Sequence, residues 1–155
     1  MGSDRRDNSE LVLAVFSAVE RRDTRRFTEL VQPDFEIHWP RSLPYGGSYR
    51  DLDADARRGR PGWSATWDPL QPTAAERHMD PRVVAENTKT GEVVVLWRQR
   101  GRGRAGERFD GEVLGLYRVR DGRLARAQMF HFDTVALAGF LERAGRGPDE
   151  KERDG

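Results

Sequence analysis

The chain has 155 residues, of which 36% are hydrophobic and 34% charged, which suits one domain with a single core. Its net charge is +1, so there is no overall field to recruit nucleic acid, and no apolar run approaches the roughly 20 residues that a membrane span requires. It contains no cysteine, which excludes disulfides, thiolate chemistry and cysteine zinc sites and fits a cytoplasmic location.

The first part of the chain predicts two helices and a strand. Asn8 or Ser9 is expected to cap a helix whose apolar residues recur at helical spacing, and Thr24 to cap a second, shorter helix. Residues 35–39, FEIHW, alternate in polarity as a strand does. A loop rich in proline and glycine follows, and residues 51–67 are expected to be helical in part.

The second part predicts a run of strands and a closing helix that begins at Asp133. The expected strands are 82–87, 93–100, 109–120 and 124–132. Helices followed by consecutive strands predict an α+β fold, with the helices collected on one face of a curved sheet and a cavity at their junction. One domain over residues 8–144 is expected between a disordered N-terminus, 1–7, and a disordered charged tail, 145–155.

Two segments resemble the SnoaL-like branch of the nuclear transport factor two superfamily. They are LVLAVFSAVERRDTRRFTELVQPDFEIHWP at the front, and GERFDGEVLGLYRVRDGRL with FHFDTVALAGFL at the back. The resemblance implies a cone-shaped barrel in which a curved antiparallel sheet wraps around the N-terminal helices, with a short C-terminal helix, and a homodimer formed through the sheet. Such proteins include polyketide cyclases, limonene-epoxide-hydrolase-like enzymes, ketosteroid isomerases and members without chemistry.

The acid and base positions of these relatives hold other residues in this chain. The aspartate that the cyclases and epoxide hydrolases have on the last strand aligns with Met129, and the cyclase histidine aligns with Gly115. The arginine and aspartate of the epoxide hydrolases align with Leu96 and Arg98. Because a thioether cannot transfer a proton, neither mechanism can be copied unchanged.

His131 is the foremost candidate for an acid or base. Alternation along the strand places it on the same face as Met129, with Asp133 at the rim. With an ordinary pKa near 6.5, histidine can take and give a proton at neutral pH. The alternative is a core histidine packed between aromatic side chains. Asp133 itself is better explained as the N-cap of the last helix than as a catalytic carboxylate.

Three further polar residues on strands are candidates. The resemblance places Glu36 and His38 at positions where the epoxide hydrolases hold water, whereas the alternation alone favours the solvated side of an edge strand. Arg98 could point inward, pair with Glu36 or a substrate carboxylate and stabilise developing negative charge. An exposed arginine is the favoured alternative.

Aromatic side chains of the middle of the chain complete the predicted site. The resemblance places Tyr45 and Tyr49 in a loop that closes over the cavity, where a tyrosine can donate a hydrogen bond to a carbonyl. Trp63 could shape an apolar wall of the cavity, and packing in the core is the favoured alternative. No metal or cofactor motif is found, because the three histidines are scattered and no phosphate-binding loop is present.

The sequence therefore supports two hypotheses. The first is a cofactor-free enzyme of bacterial secondary metabolism that cyclises, isomerises or opens the epoxide of a small apolar, polyketide-like substrate. His131 would be its acid/base, with His38 and Tyr45 orienting the substrate and Arg98 stabilising charge. The second is a non-catalytic module of the same fold that binds a small molecule or dimerises. Its expected partners are a small molecule and a second copy of the chain, with neither nucleic acid nor membrane.

Overall fold

A computed structural model describes residues 7–50 and 69–145. Its elements, in chain order, are α1 (Asn8–Glu20), α2 (Thr24–Leu30), β1 (Val31–Trp39), β2 (Gly47–Tyr49), β3 (Arg82–Asn87), β4 (Glu92–Arg102), β5 (Arg108–Arg120), β6 (Arg123–His131) and α3 (Thr134–Gly145). The partial helix predicted at residues 51–67, which includes Trp63, lies outside the described residues. So do the predicted disordered ends, as far as they extend beyond the described ranges. No described helix combines the length and apolar character that a membrane crossing demands.

In both N-terminal helices the capping residue lies before the residue predicted from the sequence. Asp7, rather than Asn8 or Ser9, caps α1, and Asp23, rather than Thr24, caps α2. In each case the carboxylate accepts a hydrogen bond from the backbone N–H three residues later, at 2.7 and 3.0 Å. A carboxylate also interacts favourably with the positive end of the helix dipole, which explains why aspartate takes the position.

The six strands form one sheet in the order β2-β1-β6-β5-β4-β3. The α+β class is confirmed, with the helices preceding a sheet that is mixed and not closed. Strands β3 to β6 are antiparallel neighbours, as expected of hairpins, but β1 lies parallel to β6. The expectation of a wholly antiparallel sheet is therefore wrong at this pair, because β1 pairs antiparallel with its chain neighbour β2 on one edge and parallel with β6, the last strand of the meander, on the other.

The core lies between α1 and the inner face of the sheet. Its largest members include Phe16 on α1, which packs edge-to-face against Trp97 at 5.8 Å and Tyr117 at 5.6 Å between ring centroids. A second, smaller cluster joins α3 to the loop before β2, and Phe140 of α3 rests on Gly101. A Cβ at Gly101 would come within 2.6 Å of that ring, so the glycine permits α3 to close this end of the sheet.

Candidate functional site

Side chains alternate between the two faces of every long strand, and this decides which of the candidates meet the core. On β4 the buried residues are Val93, Val95, Trp97, Gln99 and Gly101, while their neighbours are half-buried or exposed. On β6 the corresponding inward residues are Ala127 and Met129. Met129, which aligns with the family aspartate, therefore faces the core.

An apolar cavity lies between α1 and the inner face of the sheet. Representative residues of its wall are Phe16, Phe35, Ile37, Trp97, Leu124 and Met129. No charged side chain lines the cavity among the described residues. An enclosed apolar space with few polar groups is the usual form of a site for a small molecule.

The polar end of the cavity is formed by Tyr45 and Gln99. Tyr45 is 6% exposed, and its ring packs edge-to-face on Trp39 with 5.2 Å between centroids. Its hydroxyl makes no well-formed hydrogen bond within the described part of the chain, although the Gln99 side chain lies beside it. Burial raises the pKa of Tyr45, an effect that the Gln99 amide partly offsets, so the hydroxyl stays protonated and can donate.

His131 lies next to this polar end but does not form part of the cavity wall. Its Nε2 is 3.1 Å from Oε1 of Gln99, and Gln99 lines the cavity. Burial lowers the pKa of His131 to about 4, so the ring is neutral at pH 7. The sequence predicts a direct acid/base role for His131. For that role the Gln99 side chain would have to move out of the way, and the ring, with its lowered pKa, would act as a weak base. The role stays a prediction.

Gln71 is a second buried amide on the same wall, and it was not recognised in the sequence. Gln71 is 5% and Gln99 4% exposed, and they are the buried polar residues of the described chain. Gln71 has a left-handed backbone conformation, with φ of 60°. Its carbonyl accepts hydrogen bonds from Arg22 Nη2 at 3.1 Å and Arg77 Nε at 3.2 Å, which hold this unfavourable conformation in place.

The positions of the cyclase acid and base are filled in another way. A Cβ on Gly115 would lie 2.4 Å from the Tyr117 ring, so the absent side chain leaves room for that ring. The Tyr117 hydroxyl donates a long hydrogen bond, 3.6 Å, to the sulfur of Met129. Burial raises the pKa of Tyr117, so this hydroxyl too stays protonated and cannot act as a base.

Arg98 does not point into the cavity, and the favoured alternative, an arginine on the outer face, is the arrangement that the structure has. Arg98 shares the outer face of β4 with Leu96, because Trp97 and Gln99 occupy the inner face. Its guanidinium pairs with Asp110 at 2.9 Å and with Glu112 at 3.3 Å across the β4–β5 pair. These carboxylates raise the pKa of Arg98 and provide the anionic partners that Glu36 was expected to provide.

Glu36 and His38 also lie on the outer face. Phe35, Ile37 and Trp39 of the same strand line the cavity, so alternation turns the two polar residues away from it. His38 is 2.6 Å from Ser48 Oγ through Nδ1 and 3.5 Å from Glu36 through Nε2. The structure therefore does not bring His38, Arg98 and His131 together.

Two remaining candidates have structural contacts. Asp133 accepts a hydrogen bond from the Ala136 backbone N–H at 2.9 Å, as the favoured interpretation as a helix cap requires. Tyr49 donates to the Tyr45 carbonyl at 2.8 Å and thereby supports the loop that holds Tyr45. Of the predicted residues, Tyr45 and Met129 line the cavity, with Gly115 beneath Tyr117 and His131 behind Gln99.

The described residues contain no cluster of three or more histidine, aspartate or glutamate side chains that could hold a metal ion. The described residues that line the cavity offer neutral hydrogen-bond donors and acceptors in an apolar environment. Such groups bind an uncharged oxygen, and they bind it more strongly if negative charge develops on it.

Comparison with known proteins places this arrangement in a family. Residues 12–127 match the SnoaL-like domain. The chain belongs to the SnoaL-like family. Its fold is that of the nuclear transport factor two superfamily, as the resemblance implied. No curated protein sequence is significantly similar to this SnoaL-like chain.

Solved structures with low sequence identity share the fold. An NTF2-like protein from Burkholderia thailandensis is 20% identical with a TM-score of 0.66, covering 88% of this chain and 98% of that one. A proposed polyketide cyclase from Xanthomonas campestris pv. campestris is 18% identical with a TM-score of 0.66, covering 90% and 99%. TerC, co-crystallised with polyporic acid, is 18% identical with a TM-score of 0.62, covering 88% and 99%.

Proposed function

We propose that the chain binds a small, largely apolar carbonyl compound in the cavity and promotes its cyclisation or isomerisation without a cofactor. The observation that supports this most directly is the Tyr45 hydroxyl, which is buried beside the Gln99 amide and lacks a partner in the described chain. A carbonyl oxygen placed there would accept a hydrogen bond from the Tyr45 hydroxyl, which has no other acceptor among the described residues.

The proposed chemistry is stabilisation of an enolate oxygen. In ring closure and double-bond isomerisation of polyketide-like ketones, a proton leaves the carbon beside the carbonyl for a water molecule, since no described wall residue is a base, and water later returns a proton to the product. The enolate formed between these steps has an oxygen that accepts a stronger hydrogen bond than a ketone does. Tyr45 remains protonated because burial raises its pKa, so it acts as a donor and not as the base. Epoxide opening is the less suitable reaction, since Leu96 and Arg98, at the epoxide hydrolase positions, lie on the outer face.

The structural relatives agree with this class of ligand. One is a proposed polyketide cyclase, and TerC was crystallised with polyporic acid. The apolar wall and neutral polar end of this chain suit a polyketide-like carbonyl compound.

A second candidate function is binding without chemistry. It is favoured by the wall itself, because no described residue lining the cavity is a carboxylate or a histidine that could accept a proton from carbon near neutral pH. In that case the chain would sequester or deliver the same class of molecule.

One experiment separates the two functions by using 2-tetralone, a compact bicyclic ketone with acidic protons beside the carbonyl. Binding is measured by the quenching of tryptophan fluorescence, since Trp39 and Trp97 line the cavity. Catalysis is measured by NMR as the exchange of those protons for deuterium. We expect saturable binding and exchange faster than in buffer, with Tyr45→Phe slowing the catalysed exchange by roughly 10- to 100-fold.

Tyr117→Phe is the matched control, because it removes a hydroxyl that already has the Met129 sulfur as its partner. It should slow exchange much less than Tyr45→Phe does. Saturable binding with no acceleration would support the second candidate instead. Failure of 2-tetralone to bind would contradict both.

A further inference from the structure

We infer that His131 is a positioning residue that sets the specificity of the cavity through Gln99: it fixes the amide so that the NH₂ group faces the polar end and selects an uncharged hydrogen-bond acceptor. This inference rests on the proposed function, because it concerns the same polar end. It assigns His131 a contact with Gln99 in place of a contact with the ligand. Gln99 is then the residue that contacts the ligand and selects it.

The first step is the protonation of the ring. Gln99 Oε1 can only accept, so His131 Nε2, 3.1 Å away, must hold the hydrogen and donate it. His131 Nδ1 is buried without a partner in the described residues. A bare lone pair is the less costly group to bury there, since an orphaned N–H loses a hydrogen bond that it makes in water.

The opposite arrangement fails on the same contacts. If the amide of Gln99 were reversed, its NH₂ would donate to His131 Nε2, and the ring hydrogen would move to Nδ1, where it has no acceptor. A doubly protonated ring is disfavoured because burial lowers the pKa of His131 to about 4. The neutral ring therefore permits one orientation of the amide.

The second step is the consequence for the cavity. With Oε1 held by His131, the NH₂ of Gln99 remains to face the Tyr45 hydroxyl and any ligand atom beside it. Both groups at the polar end then offer hydrogens. A ketone or quinone oxygen fits this pair.

The third step concerns charge. No lysine, arginine or histidine lines the cavity among the described residues, and Arg98 is paired on the outer face. A carboxylate or phosphate would have to leave water without a cation to meet it, which is strongly unfavourable in an apolar space. The ligand class is thus an uncharged carbonyl compound.

The test compares 2-tetralone with tetralin, the same bicycle without the oxygen, and with 2-naphthoate as an anionic probe. The readout is the ratio of the tetralin Kd to the 2-tetralone Kd, called the ketone preference. In the wild-type chain we expect a ketone preference on the order of tenfold, equivalent to one or two neutral hydrogen bonds, and the weakest binding for the anion.

Three variants test the route through Gln99. Gln99→Met should reduce the ketone preference to less than threefold while tetralin still binds, and His131→Leu should do so in part. His131→Gln keeps an N–H donor toward Oε1 and should restore the preference. Gln128→Met, the same change on the outer face of β6, should leave it unchanged.

The outcomes distinguish the inference from the function on which it rests. If neither tetralin nor 2-tetralone binds, the proposed function fails. If both bind equally well in the wild type, or if His131→Leu keeps the full preference, the inference about His131 is overturned while the binding cavity stands. A loss of tetralin binding in His131→Leu would show collapse of the wall, and His131→Gln then decides the matter through its ketone preference alone.

Discussion

At the scale of single residues, the feature that most shapes the site is the burial of neutral polar groups. Gln99, Tyr45 and His131 form a series of contacts in which each buried group limits what the next can do. Burial keeps the tyrosine protonated and the histidine neutral. Such a site binds and polarises a carbonyl more readily than it removes a proton.

The burial of His131 has a measurable effect on stability. Its pKa is lowered to about 4 from 6.5, so above pH 6.5 the ring is neutral in both the folded and the unfolded chain. As the pH falls from 6.5 to 4, the unfolded chain takes up a proton that the folded chain refuses. The free energy of unfolding should therefore decrease by up to roughly 3 kcal/mol over this window from His131 alone.

Urea denaturation of the wild type and of His131→Gln between pH 4 and 7.5 checks this expectation. The stability difference between them should shift with falling pH in favour of the variant and level off near pH 4. His78→Gln, which removes a side chain that is 71% exposed, should follow the wild-type profile. A constant difference between wild type and His131→Gln would show that His131 titrates alike in both states.

The sequence could have revealed Gln99. Trp97 is an apolar residue in the middle of a predicted strand, and a residue two positions from it shares its face. A glutamine among arginines near a strand end resembles a solvated residue, however, and nothing local shows that His131 lies beside it. Their contact spans 32 positions in the chain and depends on how three strands pair.

At the scale of elements, regular strands were the most predictable part of the fold. Strand β3 has the expected bounds, and β4, β5 and β6 extend the expected ranges or shift them by one or two residues. In long alternating segments joined by tight turns, the local sequence is enough to specify a strand. The parallel pairing of β1 with β6 could not be predicted in this way, because it is fixed by contacts between the two ends of the chain.

Variants of Asp133, the cap of α3, distinguish a structural role of this residue from a role in ligand binding. Asp133→Ala removes the acceptor for the Ala136 N–H and should lower the free energy of unfolding by about 1 kcal/mol. Asp133→Asn keeps an acceptor oxygen and should cost less. Both variants should bind 2-tetralone as the wild type does, as urea denaturation and fluorescence titration would show. A folded Asp133→Ala chain with lost binding would return Asp133 to the site.

At the scale of the whole molecule, the outer face of the sheet offers a surface for the expected homodimer, which we propose on the following grounds. Leu96, Leu114 and Phe130 lie opposite one another on three adjacent strands. Leu114 is 39% and Phe130 49% exposed, so the row is an apolar stripe open to solvent. A symmetric pair of copies could bury it against itself.

Sedimentation velocity tests this surface. The wild-type chain should sediment as a dimer, and Phe130→Glu should shift it to the monomer, because a charge in the apolar row would lack a partner. Phe132→Glu is the control, as Phe132 lies beyond the end of the row and is already 87% exposed. A monomeric wild type, or a dimer unaffected by Phe130→Glu, would contradict the proposed dimer.

The central claim also concerns the whole molecule: the space between α1 and the sheet is a binding cavity for a carbonyl compound. The most direct test is a crystal structure of the chain soaked with 2-tetralone. The expected result places the bicycle among Phe16, Trp97 and Met129, with its oxygen within hydrogen-bond distance of Tyr45 Oη or Gln99 Nε2. A cavity filled by side chains, or a ligand bound only on the outer face, would contradict the claim.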